Sequence, residues 1–179
     1  YMIVGLIKPN NGKITLDGKD ITKEAMYKRA KDGIAYLPQE ASVFRKLSVE
    51  DNIMAILQMT KLSKKDQKEK LEKLISEFGL NHVRKNRGDL LSGGERRRTE
   101  IARALAVDPK FILLDEPFAG VDLLSLQDIK ALLLKLQFRG CAVLVTDHNA
   151  SQLLSVVDRA YVVANGAIVA HGSPKEIAT

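Results

Sequence analysis

The sequence predicts an α/β fold built on a parallel sheet, and two observations carry this prediction. Short, continuously apolar runs occur at 34–37, 111–114 and 142–146, as is typical of strands buried on both faces of a sheet. Segments with helical spacing separate these runs, and alternation of strand and helix is the pattern of a parallel sheet. A length of 179 residues fits one compact domain.

The first forty residues predict the end of a helix, a hairpin, a helix and a strand. Asp17-Gly18 is a turn signal between the runs 13–16 and 19–21. A helix is expected from about 24 to 31, ending before Gly33, and the strand 34–37 leads to Gln39.

Residues 41–91 are predicted to be a helical segment that interrupts the alternation of strands and helices. Ser48 with Asp51 predicts the start of one helix, and Ser63 predicts the start of a second one that ends at Gly79. Further on, the predicted helices and strands are a helix to 107, a strand to 114, a helix over 124–138, a strand over 142–146, a short helix, and strands at 160–163 and 167–169.

Leu91-Ser92-Gly93-Gly94-Glu95 is the most informative stretch of the chain. Ser92 followed three residues later by Glu95 predicts a capping box at a helix start. Free N–H groups at such a terminus attract anions, and glycine without a Cβ lets an anion approach the backbone. An ordinary capped helix that binds nothing is the alternative.

Asp115 and Glu116 follow the buried strand 111–114 directly. Open α/β sheets bind ligands beyond the carboxyl ends of their strands, and adjacent carboxylates there are costly unless a cation or polar substrate meets them. We therefore expect Asp115 to hold Mg²⁺ and Glu116 to act as a general base toward water. A solvated acidic turn is the alternative.

These motifs, with Gln39, the segment 120–122 and His148, occur in the order and spacing of an ABC-transporter ATP-binding subunit, which the chain resembles over essentially its whole length. The resemblance implies a P-loop NTPase-like core with a helical subdomain at 41–91. It implies ATP and Mg²⁺ as cofactors and two copies that sandwich the nucleotide.

The resemblance also implies a role for each matched position. Gln39 would touch Mg²⁺ and the attacking water, Asp115 would bind Mg²⁺, and Glu116 would be the catalytic glutamate. Asp122 would communicate across the dimer, and His148 would contact the γ-phosphate. The remaining implied nucleotide-binding residues, which would reach the ATP of the second copy, are Ser92, Gly93, Gly94 and Glu95.

Within the family, the stretches 36–45, 91–98 and 146–149 are similar to the ATPase subunit of lipopolysaccharide exporters. Branched-chain amino-acid importer ATPases are the competing subgroup. Leu123 departs from the pattern, because the family usually has proline after the aspartate at 122. Membrane-spanning transporter subunits are the implied partners, and Phe44 and Arg45 are the residues we expect to receive them. For Phe44, a core position is the alternative.

The sequence contains no G-x-x-x-x-G-K-[ST] loop, which normally cradles the phosphates of ATP. Gly5 to Lys13 has the wrong spacing, and Ile14 stands where a hydroxyl is needed. We therefore interpret the 179 residues as a partial ABC ATPase domain, shortened at its N-terminus and also at its C-terminus, and expect them to hydrolyse ATP negligibly by themselves.

Composition favours a globular protein, with 45% hydrophobic and 28% charged residues, and no apolar run is long enough to span a membrane. The single cysteine, Cys141, is expected to be a buried thiol in a reducing cytosol. The family resemblance implies a cytoplasmic protein that is peripheral on the cytoplasmic face of the inner membrane. The net charge of +6 permits binding to nucleic acid, but it is spread along the chain. The run 96–98 of three arginines at a helix start suggests an anionic neighbour, for which bound nucleotide is one candidate, and a solvated surface is the alternative.

Two other classes of function remain as alternatives. A DNA-repair-type ABC ATPase shares these motifs, but it would carry coiled-coil heptads or cysteine clusters that this sequence lacks, so no nucleic acid is expected as a partner. A non-catalytic binding fragment is the second alternative. Glu116 and His148 argue against it, and the missing phosphate loop argues for it.

Overall fold

The computed structural model describes residues 1–118 and 123–178. Its strands are β1 (Thr15–Leu16), β2 (Lys19–Asp20), β3 (Ile34–Leu37), β4 (Phe111–Asp115), β5 (Ala142–Thr146), β6 (Ala160–Ala164) and β7 (Ala167–Gly172). Its helices are α1 (Met26–Lys31), α2 (Val49–Leu57), α3 (Lys64–Glu77), α4 (Gly93–Leu105), α5 (Leu123–Phe138), α6 (Ala150–Leu154) and α7 (Pro174–Ile177).

The predicted parallel sheet is confirmed and consists of β3, β4 and β5, with β4 in the centre. Leu37 pairs with Leu114, and Asp115 pairs with Thr146. All three strands therefore end at the same edge, and the loops that follow them meet there. The predicted hairpin at Asp17-Gly18 is also confirmed, since β1 pairs with β2 in antiparallel fashion. The strands β6 and β7 form a second antiparallel pair, which was not predicted from the sequence.

The helix starts in the segment 41–91 are those that the sequence predicts. Ser48 accepts a hydrogen bond from the N–H of Asp51 at 3.1 Å, and Ser63 accepts one from Asp66 at 3.2 Å. Gly79 has a φ of +62°, which a residue without a Cβ adopts readily and which ends α3.

A single hydrophobic cluster joins this helical segment to the sheet. Its members include Leu37 and Leu114 of the sheet together with Ile53, Ile75 and Ile101 of the helices, each at most 2% exposed. A smaller cluster on the opposite face contains Val4, Ile21, Ile34 and Leu113. The central sheet is therefore covered on both faces, which explains why its strands are apolar throughout.

Three helix boundaries differ from the sequence prediction, and one of them is the start of α5 at Leu123 instead of 124. The helix expected from 24 begins at Met26, because the backbone of Ala25 is extended, with a ψ of 153°. The helix expected to reach 107 ends at Leu105, and the chain turns at Asp108 with a φ of +46°. In the part of the chain that the structure describes, no helix is both long and apolar enough to cross a membrane.

Candidate functional site

The loops at the carboxyl edge of the sheet bring Gln39, Glu116 and His148 together. Gln39 Nε2 donates a hydrogen bond to Glu116 Oε2 at 2.9 Å, and His148 Nδ1 lies 3.4 Å from the same oxygen. The Glu116 side chain is 33% exposed, so water can reach a carboxylate that is held in place. Residues separated by more than a hundred positions thus form one group, as the sequence predicts.

Glu116 has a backbone φ of +42°, a left-handed conformation that is unusual for a residue with a side chain. Its N–H donates to the carbonyl of Thr146 at 2.8 Å, which holds this conformation against β5. Strain of this kind, on the order of 1–3 kcal/mol, tends to occur at functional positions. Here it redirects the chain immediately after the sheet, where the Glu116 side chain meets Gln39 and His148.

Asp115 is oriented by two hydroxyl groups from the neighbouring strands. Tyr36 donates to Asp115 Oδ2 at 3.1 Å, and Thr146 donates to Oδ1 at 2.6 Å. Burial, and secondly the bond to Asp115, raise the pKa of Tyr36 to about 12. Sequence reasoning missed both donors. The sequence did contain a signal for Thr146, however, because Thr146 ends β5 and pairs with Asp115 at the end of β4.

Asp147 ties the loop after β5 to the loop after β4. Its side chain is 1% exposed and accepts hydrogen bonds from the N–H groups of Phe118 at 3.1 Å and Asn149 at 2.9 Å. Because Asp147 is thereby fixed, the adjacent His148 projects from an anchored backbone. This residue was not predicted to belong to the site.

The capping box at the start of α4 is confirmed in both directions. Ser92 Oγ accepts from the N–H of Glu95 at 3.3 Å, and Glu95 Oε2 accepts from the N–H of Ser92 at 2.8 Å. The bonds from Ser92 hold the pKa of Glu95 below its usual value, with a smaller contribution from His82, whose Nε2 is 3.1 Å from Glu95 Oε1. A Cβ at Gly93 would meet nothing within 4 Å, so this terminus is open to an approaching anion.

Within the described residues, no hydrogen bond or ion pair joins the capping box of Ser92 and Glu95 to the carboxylates at the sheet edge. The structure therefore builds two separate groups. One is centred on Glu116 and the other on Ser92.

Two of the clustered arginines find partners inside the chain. Arg96 Nη2 donates to the carbonyl of Leu91 at 3.2 Å, and Arg97 Nη1 lies 3.4 Å from Glu100 Oε2. Burial, the larger effect, lowers the pKa of Arg97, and Glu100 opposes that shift. Glu100 is therefore an anionic neighbour of Arg97 within the chain, whereas the partner of Arg96 is a neutral carbonyl.

Phe44 is 45% exposed, so it is not a core residue. Asn52 fixes its backbone by accepting from its N–H at 2.8 Å and donating to its carbonyl at 3.1 Å. The Arg103 guanidinium lies 4.6 Å from the centroid of the Phe44 ring. Arg103 also lines a groove of about 990 Å³ that includes Ile56 and Met59. Phe44 thus presents an aromatic ring at the edge of an apolar groove.

The residues at the sheet edge fit a magnesium ion that is bound mainly by a substrate. Within the described residues, no group of three or more His, Cys, Asp or Glu side chains could hold a metal by itself. Mg²⁺ usually takes one or two carboxylates, several waters and substrate phosphates, and Asp115 provides one such carboxylate in a fixed orientation. Asp122, with the rest of the segment 119–122, lies outside the residues that the structure describes.

Comparisons with known proteins identify relatives of the chain. The chain is 54% identical over 178 residues to the lipopolysaccharide export system ATP-binding protein LptB of Haemophilus influenzae, and the match covers 99% of the chain and 74% of that relative. It is 54% identical over 177 residues to a probable ABC transporter ATP-binding protein of Azorhizobium caulinodans, covering 99% of the chain and 63% of that relative.

Solved structures show the same fold. The cbiO1 subunit of the cbiONQ ABC transporter complex of Clostridium perfringens superposes with a TM-score of 0.88 at 25% identity, covering 98% of this chain and 71% of that one. The ATP-binding cassette MJ1267 of an ABC transporter gives a TM-score of 0.87 at 30% identity, covering 99% of this chain and 76% of that one. A sequence profile described as "ABC transporter" matches residues 1–119. With the strand-end carboxylates and the capped helix in place, these matches show that the chain belongs to the ABC-transporter ATP-binding family.

Proposed function

We propose that this chain acts in an ATP-hydrolysing subunit that drives lipopolysaccharide export, on the cytoplasmic face of the inner membrane. The single observation that carries the enzymatic part is the Glu116 carboxylate held between Gln39 and His148 at the carboxyl edge of a parallel sheet. The H. influenzae relative is named as part of a lipopolysaccharide export system, which supports lipopolysaccharide as the transported substrate.

The geometry supports a distinct task for each residue at this edge. Glu116 accepts a proton from an attacking water, because its carboxylate is partly exposed and fixed by Gln39 at 2.9 Å. His148, 72% exposed, reaches toward the substrate side, where its imidazole would contact the γ-phosphate. Asp115 would hold Mg²⁺, which when bound neutralises charge on the phosphates.

The capped start of α4 supplies the second half of the site. Its free N–H groups and the open space at Gly93 suit the phosphates of an ATP that is held by another copy of the chain. Ser92, Gly94 and Glu95 share this task, and Asp122 would relay between the copies. The separation of the two groups within one copy supports a homodimer that completes each site from both subunits.

Phe44 and Arg45 would receive a membrane-spanning partner. The exposed ring of Phe44, stacked beneath Arg103 at the edge of an apolar groove, suits an apolar helix that carries an acidic or polar group. We propose that residues 41–91 form the helical subdomain that passes motion to this partner.

The test requires a phosphate loop, which the 179 residues do not contain. We define the extended chain as this chain joined to those segments of the H. influenzae relative that flank the match. The 179 residues alone should hydrolyse ATP negligibly, and the extended chain should hydrolyse it steadily. Stoichiometric turnover by the 179 residues would contradict the proposal that the loop is required.

In the extended chain, Glu116→Gln should bind ATP, lose about two to four orders of magnitude in turnover, and accumulate as a dimer with ATP. Size-exclusion chromatography with and without ATP measures the dimer. Normal hydrolysis by this variant would show that Glu116 is not the base.

Export itself can be tested by replacement of the Escherichia coli LptB protein, to which this chain is 52% identical. Cells whose own LptB is depleted should keep delivering lipopolysaccharide to their surface when they express the extended chain, but not its Glu116→Gln variant. Active ATPase without rescue would favour a different transported substrate.

A further inference from the structure

Glu100 is a buried carboxylate in α4 that none of the proposed roles uses. Its side chain is 3% exposed. Glu100 Oε1 accepts hydrogen bonds from the backbone N–H groups of Ser42 at 2.6 Å and Val43 at 3.0 Å. Burying a carboxylate is costly unless hydrogen bonds compensate for the lost water. These two bonds provide that compensation for Glu100. They hold the chain just after Gln39.

Two arginines from the same helix hold the loop on either side of Gln39. Arg97 Nη1 donates to the carbonyl of Pro38 at 3.1 Å and lies 3.4 Å from Glu100 Oε2. Arg103 Nη2 donates to Ser42 Oγ at 2.8 Å. The loop 38–43 is therefore bonded to α4 both before and after Gln39.

The charges make Glu100 the centre of this arrangement. Burial lowers the pKa of both Arg97 and Arg103, and in each case Glu100 opposes the shift. One carboxylate thus balances two partly buried guanidinium groups. Without it, two cations would remain beneath the loop, and the amides of Ser42 and Val43 would lose their acceptor.

The position of Gln39 depends on this support. Only Gln39, Glu40 and Ala41 lie between the two fixed points, and the Gln39 side chain reaches Glu116 at 2.9 Å. The helix that holds the loop also begins with the Ser92 capping box. We propose that Glu100 is a positioning residue that fixes the loop 38–43 to α4 and so keeps Gln39 on Glu116. The catalytic meaning of this contact rests on the proposed function, whereas the contact itself does not.

The 179-residue chain is suited to a direct test by NMR spectroscopy. Amide hydrogen exchange of Ser42 and Val43 reports the bonds to Glu100, and the side-chain amide signals of Gln39, assigned by their loss in Gln39→Glu, report its contact with Glu116. Glu100→Ala removes the carboxylate. Glu100→Gln keeps one oxygen acceptor at nearly the same size. Ile101→Ala is the matched control, because Ile101 is 1% exposed in the same helix but packs in the core.

We expect exchange of the Ser42 and Val43 amides to be at least tenfold faster in Glu100→Ala, and the Gln39 side-chain signals to move to those of a solvent-exposed glutamine. Glu100→Gln should give a smaller change in the same direction, and it carries the test if Glu100→Ala does not fold. Ile101→Ala should speed exchange along α4 without moving the Gln39 signals.

The proposal is overturned if the Gln39 signals stay unchanged in Glu100→Ala and Glu100→Gln, or if Ile101→Ala moves them equally. In the extended chain, Glu100→Gln should lower kcat about tenfold with little change in KM for ATP. An equally large rise in KM would assign Glu100 to nucleotide binding instead. Because the NMR experiment needs no hydrolysis, its outcome is independent of the proposed ATPase activity.

Discussion

Arg29 is a cation buried in the fold, and its removal should be among the most destabilising single changes in the chain. Arg29 is 2% exposed, and no carboxylate among the described residues pairs with it. Instead it donates to four carbonyls, those of Met2 at 2.7 Å, Ile3 at 2.7 Å, Thr22 at 2.9 Å and Glu24 at 2.9 Å. One side chain therefore joins the N-terminal segment, the loop after β2 and α1.

The expected loss follows from the acceptors that Arg29→Met would leave behind. Each orphaned carbonyl costs about 1 kcal/mol when it remains partly buried. The carbonyl of Met2 also accepts from the N–H of Gly5 at 3.3 Å, so three acceptors lose their donor completely. The sum is about 3 kcal/mol, a large part of the stability of a domain of this size. Methionine fills most of the space, so the cavity contribution stays small.

Urea denaturation followed by circular dichroism measures this loss. Lys28→Met is the matched control, because Lys28 is exposed in the same helix and should change the free energy of unfolding by less than about 0.5 kcal/mol. Arg29→Lys should fall between the two, since an ammonium group cannot reach all four carbonyls. A loss below about 1 kcal/mol for Arg29→Met would refute the reasoning, because it would mean that water replaces the guanidinium at little cost.

Three further predictions concern single ionisable groups. Tyr36 should ionise at about pH 12, which the ultraviolet absorbance of tyrosinate measures. Asp115→Asn should lower the midpoint of this titration. An unchanged midpoint would show that the bond to Asp115 does not raise the pKa of Tyr36. The pKa of Glu95 is depressed in the folded chain, so its contribution to stability is complete above the ordinary value of 4.5 and is lost as the pH falls through the lower folded value. Glu95→Gln should therefore lower the free energy of unfolding by about 1 kcal/mol at neutral pH and by progressively less in acid. Urea titrations at several pH values measure this loss, and a loss that does not change with pH would contradict the prediction. Cys141 is 5% exposed, and burial raises the pKa of its thiol. Because the side chain is covered, a thiol-specific reagent should modify it at the rate of unfolding; labelling at the rate of a free thiol would place it at the surface.

The features that the sequence predicted depend on neighbouring residues. The capping box needs only Ser92 and Glu95, three positions apart, and the sequence displays both. The strand β4 is recognisable because an apolar run ends at two acidic residues. The contact of Glu116 with Gln39 and His148 could be predicted for a different reason. Parallel strands end at one edge, so a fold class alone brings their loops together.

The features that the sequence did not reveal depend on contacts between distant segments. Arg29 lies among Lys28 and Lys31, which makes it look like part of a solvated basic helix, yet it is buried. Glu100 follows three arginines and reads as one more surface charge, although it bonds to Ser42, 58 positions away. The orientation of Asp115 depends on the register of three strands. Local pattern carries no information on any of these contacts.

The two halves of the proposed site differ in what holds them, and this difference bears on how a dimer would work. Glu116 is strained, and the sheet beneath it offsets that strain, since Ile112 is 0% and Leu114 is 2% exposed. In the proposed mechanism, the group that activates water would therefore be formed before any nucleotide arrives. At the start of α4, the N–H of Ser92 is bonded to Glu95, while the space at Gly93 stays open. If the phosphates of ATP reach this open terminus from a second copy, as proposed, binding energy from ATP would fall on the dimer contact and not on the folding of the catalytic edge.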